Sequence, residues 1–154
     1  PEDAIDVQLA KIGLKPDDIK YVVVSHMHLD HGGNVGKFPN STLVIQDDEL
    51  GFALFPDEPY AAGYIPGDSQ ILRSGVGVSK PNAMEMLRLN GDYNLFGDGS
   101  LVVHRSRGHT KGSQMLLVRL PKTGSVILTG DAAYFRDNVE KNLIPNIVLA
   151  YDPV

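Results

Sequence analysis

The chain has 154 residues, 42% of them hydrophobic, with a formal net charge of −5 and no cysteine. That is enough to bury one core. It excludes disulfides and thiolate ligands, and the scattered Lys and Arg give no basic face for nucleic acid. No apolar run reaches the ~20 residues of a membrane span. A cytoplasmic location is the expectation; no signal peptide is visible, but in a sequence that opens on Pro1 rather than Met that absence says little about location.

Ile5, Leu9 and Ile12 form one apolar stripe, predicting a first helix through Lys11 with Asp3 as its cap and Gly13 as its stop. Lys15-Pro16-Asp17-Asp18 reads as a turn that feeds a strand over residues 20–25. A helical turn is expected from Asn34 to Lys37, a strand from Thr42 to Gln46, and a helix from Asp47 to Leu54. The acidic first turn of that helix suits its dipole. Residues 55–84 hold no sustained period of 2 or 3.6, which marks a long loop: a lid, a substrate wall, a dimer contact, or aromatics that fasten it to the core. From Glu85 onwards short strands alternate with tight turns: Glu85–Leu89, Tyr93–Phe96, Leu101–Arg105, Gln114–Leu120 and Val126–Thr129. Ala132 to Asn146 reads as loop then helix broken at Pro145, and Ile147–Ala150 follows as a short apolar run. One domain over residues 1–154 is the simplest organisation.

The chemistry concentrates in His26-Met27-His28-Leu29-Asp30-His31, directly behind the apolar run Tyr21-Val22-Val23-Val24-Ser25 and ahead of the turn at Gly32-Gly33. Three of the five histidines fall within six residues at the mouth of a buried strand. Imidazole and carboxylate are the ligands that zinc and similar divalent ions prefer. Two residues apart in extended chain, His26 and His28 project to one side and can share a metal, while Asp30 and His31 can face a second beside it. Two more loops carry candidate ligands. Gly108-His109-Thr110-Lys111-Gly112 bends around a histidine that can supply a third nitrogen, and Gly130-Asp131 ends a strand in a carboxylate able to bridge two cations.

These motifs, HxHxDH at 26–31, GHT-x-G-S at 108–113 and TGD at 129–131, resemble the metallo-β-lactamase superfamily in order and approximate spacing. The resemblance implies an α/β fold, a metallo-β-lactamase-like αββα sandwich, with a two-metal hydrolytic site between the sheet edges. It implies that His26, His28 and His109 hold one metal, that Asp30 and His31 help to hold the other, and that Asp131 bridges. The metals would be two zinc ions per complete domain, with iron, cobalt or manganese as other divalent choices. There are two departures. Arg107 stands where the family usually has proline, and no histidine follows Asp131, although members carry one further ligand downstream. The chain therefore reads as an incomplete domain, truncated at both ends.

Gly130-Asp131-Ala132-Ala133-Tyr134 is similar to the quorum-quenching N-acyl-homoserine lactonases, whose tyrosine three residues after the bridging aspartate binds the lactone carbonyl. That resemblance implies a hydrolase that opens an ester ring with a metal-bound hydroxide. Tyr134 would polarise the carbonyl and Asp30 would shuttle a proton to the leaving alkoxide. Phe52, Phe55 and Tyr64 could line an acyl-chain groove. The partner expected is a small-molecule lactone or ester, without nucleic acid or membrane, with room for a homodimer. A thioesterase of the glyoxalase II kind is the alternative on the same scaffold. Nucleases fit the acidic balance poorly, and flavodiiron-type members place a carboxylate where this chain has His28. His104, inside a strand with no glycine beside it, is expected to be structural.

Overall fold

The computed structural model describes residues 2–58, 60–75 and 84–144. Two sheets face each other. The first is parallel, in the order β1 (Tyr21–Val23), β2 (Thr42–Gln46), β3 (Glu85–Leu89). The second is antiparallel, in the order β4 (Tyr93–Asn94), β5 (Leu101–Arg105), β6 (Gln114–Leu120), β7 (Gly124–Leu128). The run of short strands that begins at Glu85 thus divides between the sheets: β3 pairs in parallel with β2, and only the later strands form hairpins.

β2 is the centre of the molecule. Leu43, Val44 and Ile45 are each 0% exposed, because both faces of this strand are covered. A strand buried on two faces is an unbroken apolar run rather than an alternation, as Leu43-Val44-Ile45 is. Leu43 and Ile45 point to the outer side, where they pack with Leu50, Phe52 and Ala53 of α3 (Asp47–Leu54) and Leu72 of α4 (Pro66–Gly75). Val44 points the other way and packs with Leu89 and Val103, joined by Val23, Leu87, Leu95 and Leu116, to make the core between the sheets. Layers of helix, sheet and sheet follow from that one strand.

A buried amide pair crosses the inter-sheet layer. Gln46 Nε2 donates to Gln114 Oε1 and to the Gly91 carbonyl, and Gln114 Nε2 donates to the carbonyls of Val24 and Val44. Buried amides need such partners, and these stitch the start of β6 to the ends of β1 and β2.

Several expectations are corrected. α1 runs Ile5–Lys11, but its N-cap is Ala4 without a side-chain cap, so Asp3 does not fill that role. β1 is three residues long, shorter than the 20–25 expected, since the chain leaves the sheet to enter the histidine loop. The stretch 55–84 is not a structureless loop: a 3-10 turn at Tyr60–Gly63 and the ten-residue α4 occupy much of it. Pro66 opens α4, the position where a missing N–H does no harm, and counting it as a breaker hides the helix. Arg136–Glu140 forms a short α5, while Ile147–Ala150 lies outside the described residues. No helix of the described residues is long and apolar enough to cross a membrane.

Candidate metal centre

Three strand ends converge. His26 to His31 leaves β1 and turns into α2 (Leu29–Gly32), His109 sits in the β5–β6 loop, and Asp131 follows β7 in a 3-10 turn at Gly130–Ala132. The Gln114 amide donates to the Ser25 carbonyl at 2.9 Å, which ties the loop carrying His109 to the one carrying His26.

Two sets of donor atoms result: His26, His28 and His109, and His26, His31 and Asp131. In the first, His28 Nδ1 lies 3.0 Å from His109 Nε2, which lies 3.2 Å from His26 Nε2. In the second, Asp131 Oδ1 is 3.1 Å from His31 Nε2, while Oδ2 is 3.2 Å from His109 Nε2 and 4.0 Å from His26 Nε2. One oxygen of Asp131 thus faces each set. Asp30 is less engaged: its Oδ2 is 3.6 Å from His31 Nε2 and its side chain is 69% exposed.

The residues fit a cation. Zinc–nitrogen bonds of about 2.0–2.1 Å put tetrahedral ligand atoms about 3.3–3.4 Å apart, close to these separations. His109 Nε2 meets two imidazole nitrogens and a carboxylate oxygen, and one N–H cannot satisfy all three. A shared cation can. Protonation is no substitute: burial first, then the neighbouring imidazoles His31, His109 and His28, push His26 down to about 2. Burial and then His109 push His28 down to about 4, and burial likewise lowers His109. All three rings stay neutral near pH 7 and keep their lone pairs. Ser25 Oγ, 3.2 Å from Nδ1 of both His26 and His31, accepts from the ring N–H groups when the Nε2 atoms are ligands.

Tyr134 stands at the rim. Its hydroxyl is 3.5 Å from His109 Nδ1 and the residue is 39% exposed, so it borders the centre rather than packing beneath it. Partial burial and the nearby Asp131 carboxylate hold its phenol above the usual range. His104 belongs to neither set and pairs with Asp92 at 2.8 Å on the surface. The acyl-groove expectation is corrected: Phe52 and Tyr64 are buried at 4% and 7% exposure, in ring contact with each other, while Phe55 is 74% exposed. Tyr64 instead sets its ring edge against His28, with centroids 4.7 Å apart.

Glu49 is the residue that sequence reasoning missed. With Asp47 and Asp48 it reads as part of an acidic first turn, and those two do stay outside, paired with Arg88, Arg105 and Arg107. Glu49 is 0% exposed and accepts from the Met27 amide, the Tyr64 hydroxyl, the Thr110 hydroxyl and the Gly112 amide. The signal was its i, i+3, i+4 spacing with Phe52 and Ala53, which puts it on the buried face of α3.

Two facing sheets, and a histidine–carboxylate cluster at the strand ends whose atoms could hold a metal ion, define an α/β protein with a candidate metal centre. The chain belongs to the metallo-beta-lactamase superfamily, whose family model matches residues 1–153. It is 41% identical over 141 residues to the N-acyl homoserine lactonase AttM of Azorhizobium caulinodans, covering 92% of this chain and 51% of that one. It is 32% identical over 139 residues to the N-acyl homoserine lactonase of Bacillus cereus, covering 90% and 48%. The solved structure of an N-acyl homoserine lactone hydrolase, with N-hexanoyl-L-homoserine bound at its catalytic metal center, superposes with a TM-score of 0.78 at 29% identity. That match covers 99% of this chain and 52% of the other. The fold is the metallo-beta-lactamase fold of these lactonases, and the chain spans about half the length of the relatives it matches.

Proposed function

We propose that this chain carries the metal-binding part of a hydrolase that opens the lactone ring of N-acyl-homoserine lactones. The observation that carries the reading is the pair of donor sets sharing His26, with Asp131 offering one oxygen to each and the Tyr134 hydroxyl at their rim. The likeness to N-acyl homoserine lactonases over 92% of the chain supports the substrate class.

In this reading His26, His28 and His109 hold one divalent ion, His31 and Asp30 help to hold a second, and Asp131 serves both. Zinc suits the nitrogen and oxygen donors. When bound, such ions polarise a carbonyl and lower the pKa of water. The chain's own residues do the rest. The Tyr134 hydroxyl donates to the lactone carbonyl oxygen, where negative charge develops as water adds to the carbon. Asp30, exposed to the entering solvent, takes up the proton that the adding water releases; the ring carbon–oxygen bond then breaks, and Asp30 passes that proton to the leaving alkoxide. The product is an open hydroxy acid. The accompanying reading is an enzyme acting on a small molecule; no helix of the described residues is long and apolar enough to cross a membrane.

Full-length protein, assayed with N-acyl-homoserine lactones, a glutathione thioester and a cephalosporin, is expected to open the lactones and to lose that activity on chelation. Thioester hydrolysis without lactone opening would transfer the assignment to a thioesterase.

A further inference from the structure

The three imidazoles of the first donor set come from two loops far apart in sequence, and one buried carboxylate touches both. Glu49 Oε1 accepts the Met27 amide at 2.7 Å, and Met27 lies between His26 and His28. Glu49 Oε2 accepts the Thr110 hydroxyl at 2.6 Å and the Gly112 amide at 3.3 Å, from the residues that follow His109. Oε1 also accepts the Tyr64 hydroxyl at 3.0 Å, and the Tyr64 ring rests on His28. The loop approaches so closely that a Cβ on Gly112 would lie 2.2 Å from the Glu49 backbone nitrogen. Each histidine of the set is thus one residue, or one ring contact, from this carboxylate.

We propose that Glu49 is a positioning residue for the metal centre, fixing the distance between the His26–His28 loop and the His109 loop so that three ring nitrogens meet. The proposal rests on the metal reading above, and its chemistry is specific. All four contacts are donors, and a carboxylate presents two acceptor oxygens to them. Glutamine presents one oxygen and one NH2, so whichever way it turns, an N–H faces a backbone N–H and one of the two loops is released. Burial of this kind raises a carboxyl pKa and the four donated bonds oppose that rise, which is why the donors come as a complete set. Neither Glu49 oxygen is in the donor sets, so it acts through the loops and not as a ligand.

The test is metal affinity of the full-length protein, measured by chelator competition for zinc and by the absorption spectrum after cobalt substitution. Substitutions of groups that orient ligands typically weaken metal binding about 10–100-fold, the loss expected for Glu49→Gln, with an altered cobalt spectrum. Thr110→Val, which keeps the carboxylate and removes one hydroxyl, is expected to weaken binding by about tenfold or less in the same direction, and it decides the matter if Glu49→Gln does not fold. Ile45→Val thins the same core without touching either loop and should leave affinity and spectrum unchanged. Wild-type affinity in both Glu49→Gln and Thr110→Val, or an equal loss in Ile45→Val, would overturn the proposal. A wild-type protein that binds no metal would instead sink the metal reading itself, and the positioning role with it.

Discussion

Tyr134→Phe separates a hydroxyl that acts on substrate from one that only fills space. The residue is 39% exposed and its ring meets that of His109 edge-on, with centroids 6.3 Å apart. The hydroxyl contact to His109 Nδ1, at 3.5 Å, is at the outer limit of a hydrogen bond. Removing it should shift stability by no more than about 0.5 kcal/mol, the usual range for exposed positions. Metal content should not change, because the phenol is in neither donor set. On the reaction the effect is larger. Loss of one oxyanion donor typically lowers kcat about 10²–10³-fold, and a carbonyl already polarised by a metal should fall at the low end or below. A loss of roughly tenfold to a hundredfold follows, or about 1.4–2.7 kcal/mol of transition-state stabilisation. Steady-state kinetics of the full-length variant on an N-acyl-homoserine lactone, with metal content measured on the same sample, is the assay. A wild-type kcat with full metal occupancy would refute the role given to Tyr134 and remove the main residue-level reason for preferring a lactone over a thioester.

Three further outcomes are expected. His109→Gln should lose metal and activity together, whereas His104→Gln should keep both, because His104 pairs with Asp92 on the surface and is in neither donor set; elemental analysis after dialysis compares them. The metal-free protein should weaken as pH falls below about 6.5, the value for a free imidazole, because the unfolded chain takes up protons that buried His26 and His28 refuse until about 2 and about 4. Each contributes about 1.4 kcal/mol per pH unit, present in full above pH 6.5 and lost on the way down; urea midpoints at pH 7, 6 and 5 read it, and an unchanged slope in the His26→Gln, His28→Gln double variant would contradict it. Gly63→Ala should disturb the first donor set from the other side, since the new Cβ would lie 2.3–2.8 Å from the His28 ring. A weakened affinity for zinc is expected, and wild-type binding would show that the ring can give way.

What could be read in advance was whatever a short stretch of chain decides alone. The histidine motif is six consecutive residues after an apolar strand, so its geometry is local and needs no partner to be recognised. β2 was visible for the same reason, its apolar run being the signature of a strand covered on both sides. The misses share a different origin. α4 was hidden because a proline at the head of a helix looks, residue by residue, like a proline that ends one. Tyr64 looked like a groove residue because an aromatic in an irregular stretch carries no mark of which way it turns. Glu49 is the sharpest case: beside Asp47 and Asp48 its charge reads as surface, and only the helical period sets it against Phe52 and Ala53. That the burial is tolerable depends on four donors from three other segments, and those meet only once the fold is complete. The residues that gather into the two donor sets could therefore be found from the sequence. The residue that holds the binding loops together could not, because its role consists entirely of long-range contacts.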